Sequence, residues 1–205
     1  MTTMSKYKLT IFREDSPENP REWSDEMGTM ACSHSRYNLG DDSASIDDVP
    51  HDDDTAVVLP LYLYDHSGIT ISTKPFSCPW DSGQVGYIYT TMDNAKKWLG
   101  DNVTVERIIE VLKSEVETYD NYLCGDVYGY HIEAGTGCDC CGNIEWESID
   151  SCGMFFGNDH KANGLVDAIK DDIDEDVYPI IEKALDDGEP VYYDTDAPQI
   201  TVEKK

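Results

Sequence analysis

LPLYLYDHSGITISTKPFSCPWDSGQVGYIY, residues 59–89, decides the fold. Residues 57–64 and 69–73 are two strand-like runs around Asp65-His66-Ser67-Gly68, a turn-rich tetrad. That pattern predicts a β-hairpin. Leu61, Leu63, Ile69 and Ile71 supply its apolar side chains. Gly68 is the residue expected to take a positive φ angle. The loop Cys78-Pro79-Trp80-Asp81-Ser82-Gly83 follows, with Trp80 expected as a lid over the core and an exposed contact as the alternative. Residues 85–91 then read as a third strand.

Outward from this block, a short helix is predicted over Met92–Leu99, capped by Thr91 and closed by Gly100. A longer helix is predicted over 105–123. Val105, Ile108, Ile109, Leu112, Val116, Tyr119 and Leu123 form one stripe at helical spacing. Thr104 caps its start and Gly125 ends it. Residues 127–133 and 144–147 read as a strand pair, and residues 6–13 as an opening strand. Leu165, Ile169 and Ile173 share a helical face; Val177, Ile180, Ile181 and Leu185 continue it, with a break at Pro179. Residues 191–202 suggest an edge strand interrupted by Pro198.

Strands and helices are segregated, which favours α+β over a doubly wound parallel sheet. The expected fold is α+β: a mostly antiparallel sheet with helices packed on one face and an acidic helical C-terminal region. Residues 1–205 are taken as one domain. Its core spans 6–157, with a mobile acidic loop at 40–56, and an acidic helical extension spans 161–205. Residues 14–56 are long for a structureless loop, so they are expected to be functional or partly disordered.

The chain has 42 acidic and 15 basic residues, a formal net charge of −27. Such a surface repels nucleic acid and anionic membrane and attracts basic protein surfaces and cations. Solubility, or salt adaptation in a halophile, is the plainer explanation of the same charge. Asp41, Asp42, Asp47, Asp48, Asp52, Asp53 and Asp54 form one acidic block. Asp171, Asp172, Asp174, Glu175 and Asp176 form another. The first lacks the spacing of an EF-hand loop. Rows of carboxylates imitate the phosphates of DNA, whose charge supplies much of DNA affinity. Thirteen Tyr against four Phe predict half-buried strands with hydroxyls kept in water.

The first residues lack the apolar stretch of a signal peptide, and no segment is apolar enough to span a bilayer. A cytoplasmic protein with reduced thiols is expected. Two sites follow. Cys78 with His66 and Asp81 is a candidate catalytic set, because a Cys–His pair oriented by a carboxylate makes a thiolate nucleophile. Packing and turn geometry is the alternative role for these residues. Cys138, Cys141 and Cys152 are candidate zinc ligands, with Cys124, Cys140, His131 or His160 as a fourth. Reduced thiols at a turn, with no cofactor, are the alternative. No phosphate-cradling GxxxxGK, no GxSxG and no HExxH is present.

PREW at 20–23, RYNLGD at 36–41, YLYDHSG at 62–68, CPWDSGQVG at 78–86, DVYGY at 126–130 and DSCGMFFG at 150–157 occur in that order. These blocks resemble an uncharacterised family of phage-encoded and mobile-element proteins. The resemblance implies a viral or mobile-element origin and assigns no catalytic residues. Charge and origin together predict an acidic interaction protein in the host cytoplasm. Its partner would be a basic host or defence-protein surface, such as a restriction or CRISPR nuclease, bound in place of DNA. A small Cys/His-dependent enzyme and a zinc-stabilised adaptor are the alternatives.

Overall fold

The computed structural model describes residues 6–51, 55–137, 141–172, 179 and 199–203. Along the chain come β1 (Lys6–Arg13), β2 (Thr29–Cys32), β3 (Ala56–Asp65), β4 (Ile69–Ser72) and β5 (Ser82–Thr91). Then follow α1 (Met92–Leu99), α2 (Val105–Cys124), β6 (Val127–Gly137), β7 (Ile144–Phe156), α3 (Leu165–Asp172) and β8 (Gln199–Glu203). The strands build two four-stranded antiparallel sheets, ordered β7-β6-β1-β8 and β2-β5-β3-β4. This is the α+β, antiparallel class that the sequence predicts. The sequence suggests one domain, whereas contacts group the chain into two compact units. One is Met1–Pro17 with Gly125–Lys205, and the other is Glu18–Cys124.

In the unit Glu18–Cys124, β3 lies between β4 and β5. Tyr64 pairs with Thr70 across the predicted hairpin and with Ser82 on the other side. The hairpin turn corrects one detail. Ser67 carries the positive φ of 61°, and Gly68 does not. Thr91 caps α1 by accepting from the Asn94 N–H at 3.2 Å, and Thr104 accepts from the Arg107 N–H at 3.3 Å. Ile108, Leu112, Val116 and Tyr119 are the buried stripe of α2, a spacing that keeps them on one face. They pack with Leu61, Leu63, Ile71, Val85 and Ile88 in one apolar cluster. Each fully buried aliphatic side chain there contributes about 1.5–3 kcal/mol.

Strand alternation puts Tyr62, Tyr64, Tyr87 and Tyr89 on the opposite face. All four are half-buried, as the tyrosine-rich composition predicts.

Both outer strands of this sheet are held by side chains. On β4, Asp120 of α2 accepts from the Ile71 N–H at 2.7 Å and from the Thr70 hydroxyl at 2.6 Å. On β2, the Asp41 carboxylate accepts from the Met30 N–H at 2.9 Å, and the Asp41 N–H donates to the Met30 carbonyl at 2.9 Å.

Residues 14–51 are therefore not a structureless loop. They contain the 3-10 turns Pro20–Glu22 and Ile46–Asp48, and β2. Val49 and Leu39 are buried among them. The predicted mobile loop at 40–56 is anchored through Asp41 and Val49, and Asp52, Asp53 and Asp54 lie outside the described residues.

In the other unit, β1 pairs with β6 on one side and β8 on the other. The β6–β7 hairpin extends well past the predicted strands. Leu9, Ile11, Tyr128, Tyr130 and Ile132 form its core with Leu165 and Ile169 of α3. The predicted C-terminal edge strand is β8, which begins just after Pro198. Most of the predicted acidic helical extension lies outside the described residues.

Candidate functional site

His66, Cys78 and Asp81 converge at the hairpin end of the unit Glu18–Cys124. The β3–β4 turn supplies His66, and the loop entering β5 supplies Cys78 and Asp81. The Asp65 N–H donates to the Asp81 carbonyl at 2.8 Å and ties the two loops together. The Ser82 hydroxyl donates to the Cys78 carbonyl and shapes the turn. Asp81 Oδ2 lies 3.6 Å from Cys78 Sγ and 3.6 Å from His66 Nδ1. The carboxylate thus stands between thiol and imidazole. Thiolate chemistry needs the base or a cation against the sulfur. Here the neighbour that accepts from the thiol is an anion, so the arrangement is a polar knot around Asp81.

Aromatic rings surround this knot. Tyr64 stacks on His66 at 5.9 Å and on Phe76 at 5.6 Å. Arg36 pairs with Asp65 and lies over the Tyr37 ring at 5.5 Å. The Tyr37 hydroxyl also reaches Asp65, at 3.1 Å. Trp80 is 91% exposed, so it is no lid over the core. A cleft of about 290 Å³ lies beside it, lined by His34, Arg36, Asp65, Asp81 and Gln84 among others.

A second constellation escapes sequence inspection. Arg21 is buried, and its guanidinium is fully occupied. Nε and Nη2 donate to the two Asp41 oxygens at 2.7 and 3.0 Å. Nη2 also donates to the Gly28 carbonyl at 2.7 Å, and Nη1 to Glu115 at 3.2 Å. Glu26 lies against Nη1 as an ion pair. Glu115 accepts in turn from the N–H groups of Met27 at 2.9 Å and Gly28 at 3.1 Å. Burial pushes the Glu115 carboxyl up, against the lowering effect of the Gly28 N–H, Arg21 and the Met27 N–H. Burial, helped by Asp41, pushes the nearby Cys32 thiol up to about 12, which leaves it inert. The one available signal is Arg21 itself, which shares the long acid-rich segment after β1 with only one other arginine, Arg36. Its partners are distant in sequence, so no local pattern reveals them.

Asp41, expected as an interaction residue, is a structural ligand of Arg21. Asp42, Asp47 and Asp48 are exposed. Asp171 and Asp172 end α3, while Asp174, Glu175 and Asp176 lie outside the described residues.

Cys138 also lies outside the described residues, and Cys141 and Cys152 are exposed. Cys152 pairs with Tyr130, whereas the hairpin closes where Gly137 meets Ile144. That register leaves roughly 25 Å of strand, at ~3.3 Å per residue, between Cys152 and the turn. Cys152 is therefore not placed to share a metal with Cys141. Among the described residues, no group of three or more His, Cys, Asp or Glu side chains has metal-holding spacing.

Comparison with known protein families, with curated proteins and with solved structures gives no match. No helix among the described residues is long and apolar enough to cross a membrane.

Proposed function

We propose that the protein is an acidic interaction protein that binds a basic surface of a partner in the host cytoplasm. The partner would be a nucleic-acid-binding defence nuclease of restriction or CRISPR type, occupied in place of DNA. One observation carries this proposal: the 42 acidic residues outnumber 15 basic ones, and several of those cations are already neutralised inside the molecule. Arg21 is buried among Glu26, Asp41 and Glu115. Lys8 pairs with Glu133, Arg13 with Asp126, Arg36 with Asp65 and Arg107 with Glu110. The surface field is left strongly anionic. Such a field raises association rates with basic partners and excludes nucleic acid.

Immobilised protein, incubated with host lysate and washed at low salt, tests this function. Retained proteins should elute with duplex DNA and with raised salt, because both act on the same charge contacts. Replacing Asp171, Asp172, Asp174 and Asp176 with Asn should slow association. Retention that ignores both DNA and salt would leave the acidic surface as a solubility device.

Convergence of Cys78, Asp81 and His66 favours a second function, a small Cys/His-dependent enzyme. The carboxylate between thiol and imidazole weighs against it.

A further inference from the structure

We propose that the cleft beside Trp80 is a subsite for an arginine side chain from an extended basic segment of the partner. This deepens the interaction function proposed above and rests on it.

Trp80 is the starting point. An indole 91% exposed on a loop held by backbone hydrogen bonds is a large apolar surface without an internal role. Exposed Trp side chains of this kind anchor protein interfaces. Its sequence neighbour Asp81 is also exposed, and its contacts are a thiol and an imidazole, each at 3.6 Å. The cleft between them and Asp65 holds about 290 Å³. One large side chain fits that space.

Charge selects the occupant. The chain carries −27, so an anionic segment is repelled and a cationic one drawn in. Arg36 does not reverse this locally, because Asp65 already pairs with it. Ring and carboxylate together then favour arginine over lysine. A planar guanidinium stacks on an indole face and bonds a carboxylate through its edge, whereas an ammonium is a point charge. The molecule displays this geometry once already. Arg36 lies over Tyr37 at 5.5 Å while pairing with Asp65. Trp80 and Asp81 put an exposed ring and an exposed carboxylate on the wall of one cleft on the neighbouring loop.

Octa-arginine, octa-lysine and octa-citrulline peptides are the probes, titrated at moderate salt. The readouts are affinity by calorimetry and the Trp80 indole N–H signal, assigned by its loss in Trp80→Phe. Octa-arginine should shift that signal and bind more tightly than octa-lysine, and octa-citrulline should not bind. Trp80→Ala should weaken octa-arginine about tenfold, while Trp80→Phe, which keeps a ring, should retain most of the affinity. Asp81→Asn should weaken it severalfold. The control changes Glu106, Glu110 and Glu117 on α2 to Gln. It removes more charge yet should cost less than about twofold, since distant exposed charges are screened. If the control costs as much as Trp80→Ala, or the Trp80 signal does not move, the subsite is refuted and diffuse charge attraction remains. If no peptide binds while lysate proteins are still captured and released by DNA, the subsite fails and the wider function stands. If neither occurs, both fail.

Discussion

Arg21 grips Asp41 through two parallel hydrogen bonds, Nε to Oδ1 at 2.7 Å and Nη2 to Oδ2 at 3.0 Å. The guanidinium side chain is only 2% exposed, so its removal leaves Asp41, Glu26 and Glu115 facing one another without a cation. Arg21→Ala should therefore destabilise the unit Glu18–Cys124 by about 3–5 kcal/mol. Arg21→Lys keeps the charge but loses the fork and should recover only part of this. Urea unfolding measures both, and a loss under about 1 kcal/mol for Arg21→Ala would show that the hub is dispensable.

Gly86 lies in β5 opposite Cys32 and Leu61. A Cβ there would sit 2.0 Å from the Ala31 carbonyl oxygen and 2.8 Å from Cys32 Cα. Both obstacles are backbone, so β2 itself must move. Gly86→Ala should cost about 1–3 kcal/mol, whereas Gly83→Ala, with open space around its Cα, should be nearly silent. Equal thermal midpoints for the two variants would contradict this.

Acidification should act oppositely through Glu115 and His160, which lie in different compact units. Glu115 has its carboxyl pushed up by burial. Its contribution to stability is present below the ordinary value of 4.5 and is lost as pH rises through the folded value. His160 has its imidazole pushed down by burial, with Asp159 opposing. Its contribution is present above the ordinary value of 6.5 and is lost as pH falls through the folded value. Urea titrations at several pH values, followed on the indole signals of Trp98 and Trp146, separate the units. Glu115→Gln should flatten the pH slope at Trp98 only, and His160→Gln the slope at Trp146 only. Slopes unchanged by either variant would refute the assignment.

Thiol labelling should divide the cysteines. Cys124, Cys141 and Cys152 are exposed and should alkylate quickly at mildly alkaline pH. Cys32, pushed up to about 12, should react only as its unit unfolds. Should Cys138 and Cys141 hold zinc, Cys152→Ser will leave the metal content by native mass spectrometry unchanged. Loss of metal in that variant would overturn the register argument.

Local chemistry made much of the fold legible. Thr91, Gly100 and the stripe of Ile108, Leu112 and Val116 mark α1 and α2 because caps and helical spacing act within a few residues. β2 was illegible because it is four residues long and its outer edge is bonded by Asp41, far from any repeating pattern. The length of the β6–β7 hairpin was missed for a related reason. The unread parts, residues 134–137 and 148–156, carry Gly135, Gly137 and Gly153, and the pairing shifts register twice, so strict alternation is lost there. At the candidate site, the loops around His66, Cys78 and Asp81 were visible as polar turns. That Asp81 would stand between the other two, and that Trp80 would face outward, depends on how the loops are tied.

The bonds of Asp120 to β4 and of Asp41 to β2 have a consequence for assembly. Each carboxylate takes the place that a carbonyl of an additional strand would occupy, on Ile71 in one case and Met30 in the other. A bare sheet margin recruits foreign strands and seeds fibrils, and natural proteins blunt such margins. Here the blunting groups are drawn from the same acidic residues that dominate the composition. Growth of this sheet from chain to chain is disfavoured at both margins. Strand addition at either margin of the unit Glu18–Cys124 would first have to displace one of these carboxylates.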